Sequence, residues 1–189
     1  MTRIVAGQAR GRRLRTPAGT ATRPTSDRAR EALFSALEAR LGTLAGTRFL
    51  DVFAGSGAVG LEASSRGAAA VTLIESDRAT AALVRANARD LGLDDVTVVA
   101  AKAGGQATGP PSGGPFDVAF FDPPYAWPAG KLTDLIAEMA RNEWFHPDAI
   151  VVVERSRRDA AWVWPAGIDP VQSKRYGETM LWYGHFARA

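Results

Sequence analysis

Asp122, Pro123, Pro124 and Tyr125 form the stretch of the sequence best suited to chemistry. A carboxylate followed by two prolines is held in one orientation, because proline fixes its own φ and restricts the residue before it. Asp122 and a neighbouring carbonyl can then accept both hydrogens of a planar amino group, while the Tyr125 ring stacks on the base that carries it. Such acceptors direct the nitrogen lone pair at a methyl donor. The alternative is a rigid turn after a buried strand.

A glycine-rich turn, in LDVFAGSGAVG at residues 50–60, is the second candidate. Gly55, Ser56 and Gly57 let a ligand approach the backbone, although such turns also join purely structural strand–helix units. Asp51, near the end of the strand before this turn, would repel a pyrophosphate but attract an ammonium group.

Glu75 ends the next apolar strand, about 20 residues beyond the glycines, where an acid can accept both hydroxyls of a ribose. S-adenosylmethionine (AdoMet) carries an ammonium group, a ribose and an adenine. Asp51 and Glu75 together therefore fit AdoMet better than NAD.

Short apolar strands and amphipathic helices alternate along the chain and must position these residues. Strands are predicted at 47–53, 71–76, 96–100, 116–122 and 149–154, with two more near 170–176 and 179–186. Helices are predicted from a cap at Ser26 or Asp27 to Gly42, near 58–67, at 77–92 and near 130–142, and 103–114 is predicted to be a loop. This order indicates an α/β fold with a parallel sheet covered on both faces, closed by an antiparallel pair.

The charge is concentrated at the start of the chain. Residues 1–30 hold eight arginines and one acid, a formal charge of +7, whereas the remaining 159 residues carry −4. A basic head on a mildly acidic body indicates a polyanionic partner. Apolar residues on both sides of GQARG predict a short hairpin in this head.

The composition excludes several classes of protein. The chain has no cysteine and only two histidines, so disulfides, thiolate metal sites and a Cys nucleophile are excluded, and no metal is expected. The sequence has no apolar run of transmembrane length and no signal-peptide pattern near its start, which predicts a cytoplasmic protein without a membrane partner. A monomer is the default expectation.

Beyond these motifs, the chain resembles the RsmD family of class I AdoMet-dependent methyltransferases. The resemblance spans nearly the whole chain and rests on RIVAGQARGRRL, RPTSDRAREALF, LDVFAGSGAVGLEASSRGA, LIESD, DPPY and KRYGETMLWY. It implies a Rossmann-like, seven-stranded, mostly parallel sheet whose last hairpin is antiparallel. A small N-terminal β-hairpin that helps to bind RNA would be residues 1–24, and the methyltransferase domain residues 25–189.

The resemblance also implies an activity, which is methylation of N2 of guanine G966 in 16S rRNA, with the folded 30S subunit as the substrate form. Residues 122–125 would hold the target amine, and S-adenosylhomocysteine would be the product. The implied cofactor contacts are Thr25, Asp51, Phe53, Gly55, Ser56, Gly57, Glu75, Ser76 and Asp122. The predicted RNA contacts are Arg3, Arg10, Arg12, Arg13, Arg15 and Arg23, because arginine pairs well with phosphate.

Several assignments stay open in the sequence. Arg28 and Arg30 either contact RNA or are solvated or paired with Glu31 or Glu38 on the first helix. Trp127 is a candidate for the base pocket. Lys102 stands where relatives usually carry a polar acceptor for adenine, so no adenine contact is assigned. The rival functions are a DNA amino-methyltransferase, a protein-glutamine methyltransferase and a non-catalytic RNA-binding assembly factor.

Overall fold

The computed structural model describes residues 2–17, 26–124 and 126–187 of the chain. Thr25, Arg23 and Tyr125, three predicted site residues, lie outside these ranges. The helices are α1 (Asp27–Leu41), α2 (Ala58–Ser65), α3 (Arg78–Leu91), α4 (Ala103–Gln106) and α5 (Ala129–Arg141). The strands are β1 (Arg48–Val52), β2 (Ala70–Glu75), β3 (Val96–Ala100), β4 (Phe116–Phe121), β5 (Phe145–Ser156), β6 (Ile168–Tyr176) and β7 (Thr179–Phe186).

The seven strands form one sheet in the order β3-β2-β1-β4-β5-β7-β6. The first five strands are parallel, and β7 pairs antiparallel with both β5 and β6. The predicted Rossmann-like fold with a reversed last hairpin is thereby confirmed. The strand order changes direction between β1 and β4, so a crevice opens between their carboxyl ends.

Helix boundaries follow local capping chemistry. Ser26 caps α1 by accepting the Ala29 N–H at 3.2 Å, and Asp77 caps α3 by accepting the Thr80 N–H at 2.7 Å. Gly42 and Gly92, both at positive φ, end these helices. The predicted limits of both helices are therefore confirmed.

Two apolar layers cover the sheet. One contains Leu33, Phe34 and Leu37 of α1 against Phe49 of β1, and the other packs α5 against the opposite face around Phe121. Strands β1 and β4 are buried on both faces, which explains their nearly continuous apolar sequences.

Two segments differ from the predictions. Strand β5 begins at Phe145 rather than near residue 149, because Phe145 pairs with Phe116 before a register irregularity. Asp148 lies at a φ of 71°, and its neighbour Pro147 is exposed. Neither feature is typical of a strand, so the sequence did not indicate that β5 begins before them. The predicted loop 103–114 begins with the four-residue helix α4, which buries Ala103.

The N-terminal hairpin is present in a reduced form. Arg3 and Arg13 form an isolated antiparallel bridge, and the Leu14 N–H donates to the Thr2 carbonyl at 2.9 Å. Ile4 and Leu14 are buried in the same apolar layer as α1. A Cβ on Gly7 would lie 1.8 Å from the Ser65 carbonyl oxygen, so only glycine permits this segment to approach α2 so closely.

No helix in residues 2–17, 26–124 and 126–187 is both long and apolar enough to cross a bilayer.

Candidate active site

Asp122 lies at the mouth of the crevice between β1 and β4. Phe121, the last residue of β4, is in register with Val52 of β1, and the Asp122 N–H donates to the Val52 carbonyl at 3.5 Å. The carboxyl ends of the two central strands therefore bring Asp122 beside the turn that follows β1.

Asp51 is the buried acid of this crevice, with only 2% of its surface exposed. Its carboxylate accepts the Gly60 N–H at 2.9 Å. Burial raises the pKa of Asp51 to about 7, and the negative charges of Glu75 and Glu154 add to the increase, whereas the Gly60 hydrogen bond opposes it. A cationic ligand beside Asp51 would favour its ionised form.

The glycine turn is built for close approach. Gly57 has a φ of +78°, and a Cβ there would lie 2.7 Å from a methyl group of Val84, so the turn packs tightly against α3. Gly55 has a φ of +53°, and a Cβ there would meet only the Phe53 carbonyl, at 4.0 Å. Gly55 therefore faces open space beside Ser56, which is half-buried.

Glu75 links the end of β2 to this turn. Its Oε2 accepts the Gly55 N–H at 2.9 Å, and its Oε1 accepts the Asp77 N–H at 2.8 Å. The exposed Ser76 hydroxyl donates to Oε1 at 3.4 Å. A carboxylate has about four lone-pair sites, so Glu75 keeps one for a ribose hydroxyl and gains a second if the Ser76 hydroxyl gives up its long 3.4 Å bond.

Phe53 connects the glycine turn to the segment that follows the prolines. Its φ of 68° is unusual for a bulky residue, and its ring packs edge-on against Trp127 with centroids 4.7 Å apart. Backbone strain of this kind costs about 1–3 kcal/mol and tends to occur at functional sites. Trp127 thus lies against the residue that follows β1, and its place in a base pocket stays a prediction.

The backbone carbonyl groups of the two prolines differ in whether they are already hydrogen-bonded. The Pro124 carbonyl accepts the Trp127 N–H at 2.8 Å and closes a turn. No hydrogen bond of the described residues uses the carbonyl of the buried Pro123, so this group is available as a second acceptor beside Asp122. Lys102 is exposed just before α4 and caps it with no side-chain bond.

The predicted RNA-binding arginines that the structure describes lie on the N-terminal segment, outside α1, α2 and α3. Arg3 pairs with Asp27 at 3.2 Å, Arg15 pairs with Asp90 at 2.7 Å, and Arg12 donates to the Asp90 carbonyl. These are largely exposed contacts, which are weak and can exchange for phosphate. Arg10 and Arg13 are exposed and form no ion pair within the part of the chain that the structure describes.

A buried carboxylate, which the motifs did not reveal, attaches this segment to α2. Glu62 is fully buried and accepts the Val5 and Ala6 N–H groups at 2.8 and 3.0 Å. It also accepts Nε of Arg30 at 3.1 Å and two guanidinium nitrogens of Arg66 at 3.0 Å. The signal in the sequence is a single acid within a helix of otherwise small or apolar residues.

Arg30 corrects one sequence-based expectation. It is neither exposed nor paired with Glu31 or Glu38, but is fully buried against Glu62 and donates to Asp27 at 2.9 Å. It faces the apolar side of α1, where a charge is retained only because carboxylates surround it. Arg28, by contrast, is exposed.

The described residues contain no cluster of three or more His, Asp or Glu side chains that could hold a metal ion. A buried acid, Asp51, an open turn at Gly55 and a partly exposed carboxylate, Glu75, lie along one edge of the sheet. This arrangement suits an organic cation that carries a ribose.

Comparison with known proteins gives the family. The family model described as Conserved hypothetical protein 95 matches residues 2–185. Ribosomal RNA small subunit methyltransferase D of Escherichia coli (strain K12) is 40% identical over 152 residues, which cover 80% of this chain and 73% of the relative. The Haemophilus influenzae protein of the same name is 34% identical over 157 residues, covering 82% and 79%.

Solved structures agree with the sequence relatives. The putative methyltransferase yhhF from Escherichia coli has a TM-score of 0.84, 34% identity and 98% coverage of both chains. Magnesium protoporphyrin IX methyltransferase from Synechocystis, solved with bound SAM, has a TM-score of 0.62, 15% identity and coverage of 84% of this chain and 79% of its own, and shares the fold alone. The chain therefore belongs to the RsmD family of methyltransferases, as its motifs indicated.

Proposed function

We propose that this protein transfers a methyl group from AdoMet to the exocyclic N2 of a guanine, G966, in 16S rRNA. The observation that carries the proposal is the meeting of three acids, Glu75, Asp51 and Asp122, at the carboxyl ends of β2, β1 and β4. In an open sheet of this kind, ligands bind where the strand order reverses.

The cofactor fits the residues on the β1 and β2 side. Asp51 pairs with the ammonium group, Glu75 accepts the ribose hydroxyls, and the open face of Gly55 and Ser56 admits the amino acid end. Thr25, Phe53 and Ser76 complete the proposed contacts. Bound AdoMet would supply an electrophilic methyl group and leave as S-adenosylhomocysteine, while the amino group gives up one of its two protons.

The target amine fits the residues on the β4 side. Asp122 and the Pro123 carbonyl accept the two amino hydrogens, which turns the nitrogen lone pair toward the methyl group. Tyr125 stacks on the guanine ring. The base must leave its stack to reach this crevice, so a loop or bulge of the folded RNA is the expected target.

The RNA backbone fits the arginines of residues 1–24. Phosphate contacts position the substrate without reading its sequence. Arg10 and Arg13 are the most available of them, and Arg3, Arg12, Arg15 and Arg23 complete the proposed surface. We propose that the protein acts as a monomer in the cytoplasm on the assembled 30S subunit, because folded RNA presents the base.

The direct test is to incubate the protein with AdoMet and 30S subunits from cells that lack the enzyme, and to map N2-methylguanine in the 16S rRNA. Methylation at G966 is the expected result. Methylation elsewhere, or of DNA, would overturn the substrate assignment. AdoMet binding without transfer to any RNA would favour a non-catalytic assembly factor.

A substitution at Asp122 distinguishes binding of the target amine from binding of AdoMet. Asp122→Ala should lower turnover about a hundredfold or more while AdoMet affinity stays within about threefold. Asp134→Ala, which removes an exposed acid of α5, is the matched control and should change neither. Loss of AdoMet affinity with normal turnover at saturation would contradict the role of Asp122.

A further inference from the structure

Glu154, on β5, is a fourth acid at the same edge of the sheet. Phe121 of β4 is in register with Val153 of β5, so Asp122 and Glu154 are the next residues along two adjacent strands, which are usually spaced roughly 4.8 Å apart. Asp51, Phe120 and Val152 are in register and share one face of the sheet. Two residues further along β5, Glu154 projects from that face again.

The Glu154 carboxylate is held within the protein rather than in solvent. Only 8% of the residue is exposed, and its Oε1 accepts the Thr179 hydroxyl of β7 at 3.3 Å. Its negative charge also contributes to the raised pKa of Asp51 across the crevice. Glu154 thus lies mostly buried, directly after the apolar run 149–153 of β5.

The order of the strands gives the four acids different partners. Glu75, Asp51, Asp122 and Glu154 follow one another on β2, β1, β4 and β5. The first two lie on the cofactor side of Asp122, and Glu154 lies on the opposite side. Arg155 donates to the Trp127 carbonyl at 3.2 Å, so the segment after the prolines is fastened to β5 next to Glu154.

The chemistry of guanine requires an acceptor at this place. Its Watson–Crick edge carries two adjacent donor groups, N1–H and the N2 amino group, whereas N1 of adenine is an acceptor. If Asp122 and Pro123 hold the amino hydrogens, the neighbouring N1–H is left buried and must find an acceptor of its own.

We propose that Glu154 accepts the N1–H of the target guanine and thereby selects guanine over bases whose N1 is an acceptor. This inference rests on the proposed function, since it assumes a guanine amine at Asp122. A hydrogen-bonding site of this kind discriminates strongly, because the wrong base leaves a buried carboxylate facing a lone pair.

The test compares guanine with 2-aminopurine at the target position of 16S rRNA that is assembled by ligation and reconstituted into 30S subunits. 2-Aminopurine keeps the 2-amino group but has an acceptor at N1. The wild-type protein should prefer guanine by about 10- to 100-fold in kcat/KM. Glu154→Gln, whose amide can also donate, should reduce that preference at least about tenfold.

Two controls keep the result interpretable. The loss of O6 in 2-aminopurine affects both proteins and cancels when their preferences are compared. Glu178→Gln, at the β6–β7 turn, should leave the preference unchanged. AdoMet affinity of the Glu154→Gln protein should stay within about threefold, which shows that it is folded.

A second variant, Thr179→Val, tests the same proposal if Glu154→Gln does not fold. Thr179→Val removes the hydroxyl that holds Glu154 and should lower the preference about threefold. An unchanged preference in the folded variants, with wild-type activity on guanine intact, would overturn the role of Glu154. Absence of wild-type transfer to guanine would instead overturn the proposed function, and this inference with it.

Discussion

Acidification is expected to weaken AdoMet binding through Asp51. Burial raises the pKa of this carboxyl to about 7, and only its ionised form pairs with an ammonium group. At about pH 6 roughly one molecule in eleven carries ionised Asp51, whereas at about pH 7.5 roughly three in four do. Ionisation of Asp51 alone therefore strengthens binding about eightfold over this interval.

The amino group of the cofactor opposes part of this gain. An α-amino group has a pKa of about 7.7–8.0, so about a third of free AdoMet has lost that proton at about pH 7.5. The net effect is a roughly fivefold tighter complex at the higher pH, or about 1 kcal/mol.

Calorimetric titrations with AdoMet and with methylthioadenosine at both pH values would measure this effect. Methylthioadenosine retains the ribose and adenine but lacks the amino acid end, so its affinity should change less than about 1.5-fold. Equal pH dependence for the two ligands, or none for AdoMet, would refute the pairing of Asp51 with the ammonium group.

The same pKa shift makes folding respond to pH in the opposite sense. Between about pH 4 and pH 7 the folded protein keeps a proton on Asp51 that the unfolded chain releases. The contribution of Asp51 to stability is therefore greatest at low pH and is lost as the pH rises through about 7. Because Asp51 contributes least to stability near neutral pH, its proposed role in binding the cofactor explains the acid at this position better than a role in folding does.

Three further outcomes are expected. Glu62→Gln should lower the free energy of unfolding by about 3–5 kcal/mol in urea titrations, since it removes the buried negative charge that pairs with Arg30 and Arg66, whereas Glu138→Gln at an exposed pair should cost less than about 1 kcal/mol. Gly57→Ala should cost at least about 1 kcal/mol and weaken AdoMet binding; unchanged stability would contradict the packing at its φ of +78°. Replacement of Arg10 and Arg13 by alanine should weaken RNA binding and flatten its salt dependence, and unchanged affinity at low salt would show that they do not contact phosphate.

The sheet and the acids at its edge were predictable because both depend on local patterns. Mostly apolar segments of five or six residues gave the central strands. An acid directly after an apolar run gave Glu75 and Asp122, and an acid near the end of the first strand gave Asp51. Glu154 follows the same rule at the end of the predicted strand 149–154 and could have been found in the same way.

The buried charges were not predictable, because their partners are distant in sequence. Arg30 lies in a helix rich in charge, where periodicity alone suggests a solvated face. Its burial depends on Glu62, 32 residues later, and on an N-terminal segment that folds over both. Hydrophobic periodicity predicts which face of a single helix or strand is buried, but it does not predict which distant segment covers that face.

Helix α2 connects the buried Glu62 network to the turn at which the cofactor is proposed to bind. The helix begins directly after Gly57, in the glycine turn. Glu62 and Ser65, in its second half, bind the N-terminal segment through its backbone N–H groups. Its eight residues span about 12 Å. The arginines proposed to hold RNA are thus fixed by a short, fully buried helix to the turn proposed to hold AdoMet. Such a connection holds the phosphate contacts at a constant distance from the methyl donor, which is what transfer to one base in a large folded RNA requires.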